Sequence, residues 1–84
     1  MEKLIGKITH YFNKISVGII EITEGELKVG DTIHIKGHTS DFTQQVTSIQ
    51  LEHAPIEKAK KGDAVGIKVD GHVHEHDQVF LVTE

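Results

Sequence analysis

The densest run of reactive side chains is His72-Val73-His74-Glu75-His76, three imidazoles at alternate positions. Imidazole nitrogen suits zinc or nickel, so the run raises a metal site on His72, His74 and His76. Spacing argues against it. In an extended chain the three rings share a face, but at ~3.3 Å per residue the outer two start ~13 Å apart, whereas nitrogens on one zinc lie ~3.3 Å from each other. Two rings can converge; three need a tight bend. The competing expectation is a solvated loop between the last two strands. Nucleophilic catalysis has less to build on, because there is no cysteine and Ser16, Ser40 and Ser48 lie in no nucleophile-elbow string. The pair His53 and Glu52 falls on opposite faces of a strand, and a small barrel fills its interior with side chains, leaving no substrate-sized pocket. The chain is therefore expected to be non-enzymatic and to carry no cofactor.

Binding chemistry is better represented. Tyr11 and Phe12 are adjacent near the tip of a first hairpin, flanked by His10, Asn13 and Lys14. At most one of two neighbouring side chains faces a strand's core side, so one ring is exposed unless both cap the barrel mouth. An exposed ring can stack a nucleobase, with Lys7, Lys14 and Lys36 near enough in type and place to meet phosphates. Val17 and Ile19 oppose Ile20 and Ile22 in parity, so one set points outward and forms an apolar patch suited to docking a protein. Lys58, Lys60 and Lys61 read as solvated charge, with an RNA contact as the alternative.

The elements that must position these groups are short β-rich runs between glycine-centred turns, the pattern of an all-β antiparallel barrel. Six strands are predicted: Leu4 to His10, Ile15 to Thr23, Asp31 to Lys36, Phe42 to His53, Val65 to Val69 and Val79 to Val82. In Phe42 to His53 the apolar phase slips between Val46 and Ile49, which predicts a bulge near Thr47-Ser48. Ala54 to Lys61 has weak helical character, enough for one turn after Pro55. Gly30-Asp31, Gly62-Asp63 and His76-Asp77 each precede a strand. No helix with a Lys-Ser/Thr pair follows any of them, so they predict strand-starting turns rather than phosphate loops.

Composition sets the outer limits. Eighty-four residues suffice for one domain, taken as residues 1–84, and leave no room for a separate catalytic one. The absence of cysteine excludes disulfides and thiolate zinc. Nine lysines without arginine, at a net charge of −4, are not the profile of an autonomous nucleic-acid binder. Protonating all seven histidines would carry that charge to +3. No apolar run reaches the ~20 residues of a membrane helix, and no signal-peptide core is present, so a cytoplasmic protein with no membrane partner is expected.

The run from Ser16 to Gly37, SVGIIEITEGELKVGDTIHIKG, followed by VTSIQLEHAPIEKAKKGDAVGIKV from Val46 to Val69, resembles the second domain of translational GTPases, the β-barrel of elongation factor Tu. The most specific strings are Leu27-Lys28-Val29-Gly30-Asp31 and Gly62-Asp63-Ala64-Val65-Gly66-Ile67. Gly37 to Phe42 and Thr9 to Phe12 look like small stand-alone elongation-factor-like proteins, and similar barrels occur as C-terminal appendages of U32 peptidase-type enzymes. The resemblance implies a six-stranded barrel without a nucleotide-binding loop, hence no GTP. In the family this barrel helps hold the aminoacylated 3′ end of transfer RNA, but a family carboxylate is matched here by Gln50 and an Arg-Gly-Thr segment by Lys14-Ile15-Ser16. The leading expectation is an adaptor that meets RNA or a ribonucleoprotein of translation or tRNA modification indirectly, beside another protein. The alternative is a protein-docking accessory barrel for an enzyme such as a U32 peptidase-type protein. A third is a histidine-rich metal-binding or pH-responsive barrel. The residues singled out for binding are Tyr11, Phe12, Lys14, Val17, Ile19, Lys36 and Gln50.

Overall fold

A computed structural model describes residues 1–83. Alternating apolar residues put one face of each strand inside and one outside. The core is built of aliphatic side chains, with Ile5, Ile8, Ile20, Ile33, Ile35, Ile67 and Val79 buried against one another. Ten strands form: β1 (Glu2–Phe12), β2 (Val17–Ile22), β3 (Glu26–Lys28), β4 (Thr32–Lys36), β5 (Asp41–Gln45), β6 (Ile49–Leu51), β7 (Ala54–Ile56), β8 (Lys58–Lys60), β9 (Ala64–Lys68) and β10 (Gln78–Val82). Eight make one antiparallel sheet in the order β5-β4-β10-β1-β2-β9-β6-β7, and β3 pairs with β8 in a separate ribbon.

The all-β antiparallel expectation is met, with two corrections. The predicted helical turn at Ala54 to Lys61 is instead β7 and β8. β7 is held by a tight hairpin with β6, Ile49 opposite Ile56, and β8 by a long-range pairing with β3, Leu27 opposite Ala59, and both override local propensity. The predicted strand Phe42 to His53 is two strands. The chain pairs with β4 through Gln45, breaks at Val46–Ser48 where the bulge was expected, and resumes as β6 against β9. The ladder is therefore open, and the six-stranded barrel is completed by the chain crossing from β4 to β9. A side chain closes the gap at the other end of β9. The buried Gln44 amide donates to the Lys68 carbonyl (2.8 Å), and its oxygen accepts from the Asp70 N–H (2.7 Å).

The three expected turns share one geometry. The carboxylates of Asp31, Asp63 and Asp77 accept from the backbone N–H three residues earlier, at Lys28 (2.8 Å), Lys60 (3.1 Å) and His74 (2.9 Å). Each aspartate N–H returns a bond to the same residue's carbonyl. The preceding residue is left-handed each time, Gly30 at φ 98°, Gly62 at 97° and His76 at 74°.

One polar clamp ties the outer face of this sheet. His34 on β4 stands between two carboxylates, with Nε2 on Asp41 of β5 and Nδ1 2.9 Å from Glu2 of β1. The hydrogen bond to Asp41, then that to Glu2, raises the imidazole pKa above its ordinary 6.5, and the His34 bond in turn lowers Asp41 below its ordinary 3.8. Lys36 also faces Asp41 from β4, and Phe80 of β10 packs beside the ring. A raised folded-state pKa contributes stability fully below the unfolded value and loses it as pH rises through the folded one. The lowered Asp41 contribution is lost on acidification. The clamp is thus strongest between the ordinary pKa values of aspartate and histidine. Melting temperature is expected to fall as pH rises above the ordinary histidine pKa in the native chain, and to fall less in His34→Gln. Parallel pH profiles for the two proteins would remove the clamp from the explanation.

Candidate functional site: a groove on the outer face

Strand register lays out the outward rows of β1, β2, β9 and β6. Phe12 stands opposite Val17, and Val17 opposite Lys68. His10 meets Ile19, Ile19 meets Gly66, and Gly66 meets Gln50. Lys7 meets Glu21, and Glu21 meets Ala64. The middle of this surface is low because Gly66 has no side chain. A Cβ there would lie 3.3 Å from Val17 Cγ1 and 3.5 Å from Ile19 Cδ1.

The result is a groove of about 310 Å³. Ala64 and Gly66 form its floor, Val17 and Ile19 one wall, and Gln50, Glu52 and His53 the other, with Phe12 and Ile15 at the hairpin end. It is outside the barrel, so a filled interior does not exclude it. The expectation that no pocket of a few hundred Å³ exists is thereby corrected. Phe12 and Ile15 are 45% and 62% exposed, a large apolar surface for two adjoining side chains.

Of the residues singled out from sequence, Phe12, Val17, Ile19 and Gln50 line this one groove. Lys14 borders a shallower hollow beside it, formed by the hairpin from Tyr11 to Ile15. Tyr11 faces the opposite side of β1, packs on the core and meets the His72 ring at 4.7 Å. Lys36 is on β4, separated from β2 by β10 and β1, and does not approach the groove. Sequence reading missed Ile15, Glu52, His53, Ala64 and Gly66 as lining residues. The available signal was parity: Ala64 and Gly66 alternate with buried Val65 and Ile67 and so face outward with Val17 and Ile19.

The histidine run partly converges. His72 and His74 have ring centroids 4.7 Å apart, and the His74 Nδ1 is 3.3 Å from the Thr39 hydroxyl. His76 turns away, held by the left-handed turn, and lines a hollow with Leu4 and Lys7. Among the described residues no group of three or more His, Cys, Asp or Glu is placed to hold a metal ion. His53 and Glu52 share the groove wall rather than opposite faces of a strand, because both belong to a two-residue turn between β6 and β7.

The fold is a small all-β antiparallel, barrel-like module that presents an apolar groove on its outer face. The chain belongs to the elongation factor Tu domain 2 family, whose pattern matches residues 16–76. It is 42% identical over 81 residues to an uncharacterized protease of Methanocaldococcus jannaschii, covering 95% of this chain and 20% of that protein. It is 38% identical over 77 residues to a collagenase of Porphyromonas gingivalis, covering 90% and 21%. The chain thus spans about a fifth of the length of these curated relatives. Among solved structures, the C-terminal domain of a Geobacillus thermoleovorans protein assigned as a U32 peptidase superposes with a TM-score of 0.89 at 17% identity, over 96% of this chain and 93% of that one. Its selenomethionine variant gives 0.86 at 18% identity, over 92% and 96%. The likeness to elongation factor Tu holds for the domain. The expectation of a stand-alone translation factor is corrected, because these relatives are parts of protease-type proteins.

Proposed function

We propose that the chain is a non-catalytic accessory barrel that serves a U32 peptidase-type enzyme by docking through the outer-face groove. The observation that carries this reading is the pairing of 42% identity over 95% of the chain with coverage of only a fifth of the protease-named relative. The structural match to a free-standing C-terminal domain supports it. Chemistry belongs to the remainder of such a protein, and the barrel supplies attachment or positioning. The indirect RNA adaptor has no comparable support among these relatives. No membrane contact, GTP or cofactor is invoked.

The test is affinity capture from a lysate of the source organism, with and without RNase, using the native chain and Ile19→Asp. Recovery of a U32 peptidase-type protein that is insensitive to RNase and absent from the Ile19→Asp capture is the expected result. Association driven by apolar contact should respond little to salt, whereas lysine–phosphate contacts weaken steeply. Enrichment of RNA in place of such a protein would overturn the assignment.

A further inference from the structure

We infer that the groove takes an extended protein segment bearing one large apolar side chain and a basic one a few positions from it, the apolar group lying over Gly66 and the basic group meeting Glu52. This rests on the groove being the docking face, and names what the partner must bring to it. The first support is a violated backbone rule. Leu51 pairs with Ala54, so Glu52-His53 is a two-residue hairpin loop, and both residues have positive φ, 52° and 68°. A loop with positive φ at both central positions strongly prefers Asn-Gly, because Cβ crowds the following carbonyl oxygen there, glycine has none, and the short Asn side chain can hydrogen-bond locally. The chain instead keeps two long side chains, and both line the groove. Ser16, at φ 56°, carries the same strain in the hairpin at the groove's end. Three of the four non-glycine residues with positive φ among the described residues are in the two loops that frame this concavity, the fourth being His76 in a strand-starting turn, and strain so placed supports a shape maintained for binding.

Charge selects the chemistry that binds and the end of the groove that takes the basic group. Among the described residues Glu52 has no cationic partner within 4.0 Å, and the Glu21 carboxylate at the Ala64 end is taken by Lys7 at 3.8 Å. Lys68 and Lys14 are at the hairpin end, so they repel a cation there and leave Glu52 as its seat. Net charge of −4 also favours a basic partner over a polyanion. The Val17–Ile19 wall is aliphatic, and the one phenyl ring at the groove, Phe12, is engaged edge-on by His10 at 4.4 Å, which suits a Leu- or Met-like anchor better than a stacked base. The groove is also open to a separate molecule. Met1 and Thr83 are hydrogen-bonded to each other beside the start of β1, while the groove flanks the other half of that strand, from the level of Lys7 to Phe12, beginning ~17 Å along it. A domain joined through either residue would attach away from it.

The test is selection of random dodecapeptides displayed on phage, using the immobilised full chain and counter-selecting on Gly66→Val, whose side chain fills the floor. The expected outcome is a consensus of one large apolar residue with Lys or Arg within a few positions of it. A synthetic consensus peptide should then bind the double variant Glu52→Asn, His53→Gly roughly tenfold more weakly, while that variant melts at a higher temperature because its turn strain is relieved. Greater stability with weaker binding separates a binding role from a structural one. A consensus without a basic residue, equal binding to Gly66→Val, undiminished affinity in the double variant, or no groove-dependent peptide would each overturn the inference. Capture of the peptidase-type protein alongside a failed peptide selection would leave the accessory assignment intact and retire only this description of its contact.

Discussion

Gly6→Ala is expected to lower the melting temperature by at least ~12 °C and to abolish groove-dependent binding. Gly6 is in β1, between β10 and β2, and pairs with Val79 on one side and Ile22 on the other. A Cβ at this position would be 2.3 Å from the Glu21 carbonyl oxygen and 3.2 Å from Ile20 Cγ2. Carbon–oxygen contacts rarely close below ~3.3 Å, so about 1 Å of movement is required. The obstacle is backbone on a strand hydrogen-bonded on both edges, to β1 and β9, and cannot rotate away as a side chain would. Overpacking a core ordinarily costs ~1–3 kcal/mol, and displacing a central ladder belongs at or beyond the upper end. Against a total stability of ~4–13 kcal/mol for a domain of this size, ~3 kcal/mol is a large share, and each kcal/mol is worth ~4–8 °C. Function should fall with it, because the same β1–β2 register sets Phe12 against Val17 at the end of the groove. Thermal unfolding followed by circular dichroism decides the matter. A decrease below ~5 °C would mean that β2 yields at Glu21 and that the bulge beside Gly6 is not fixed by close approach.

That glycine also marks where sequence reading stops. Strands whose alternation extends over five residues or more were legible, since Ile33 and Ile35, or Val65 and Ile67, declare a buried face by period two alone. The short strands were not. β3, β7 and β8 are three residues each and contain Lys, Glu, Ala and Pro, which strands disfavour; β3 and β8 exist because Leu27 and Ala59 meet across the chain, and β7 because it folds back on β6. The two register shifts of β1, between Leu4 and Gly6 and between Ile8 and His10, were equally silent, because a bulge is defined by the partner strand and not by the bulged one. Half of the groove followed from parity, through Val17 and Ile19. Its opposite wall did not, because Glu52-His53 lacks turn chemistry, and only the paired positions Leu51 and Ala54 reveal the hairpin. The site was least legible where the chain breaks a local rule.

Gln44→Leu is expected to destabilise the domain by ~2–4 kcal/mol, although it replaces a buried polar group with an apolar one of similar size. The reason is that the hydrogen-bonded ladder does not close by itself. β5 is a sheet edge, and beyond β9 the Lys68 carbonyl and Asp70 N–H face it without a strand to pair with. The Gln44 amide presents one donor and one acceptor and satisfies both, as a length of strand would. Leucine fills the space and leaves two backbone groups unsatisfied, each costing ~1–3 kcal/mol less whatever water recovers. Gln44→Glu makes the sharper comparison. It keeps the acceptor for Asp70 but turns a carboxylate toward the Lys68 carbonyl oxygen, and only the protonated acid restores the missing donor. The folded state would therefore raise that carboxyl's pKa, so this variant should regain stability as pH falls toward the carboxylate range, while Gln44→Leu should show no corresponding recovery. Lys68 is also on the outer row beside Val17, so loosening this end of β9 should weaken peptide binding at the groove as well as stability. Denaturation midpoints across pH, with amide exchange at Asp70, read both effects. A cost below ~1 kcal/mol for Gln44→Leu, with Asp70 still protected, would show that the crossing chain between β5 and β6 closes the barrel without the amide.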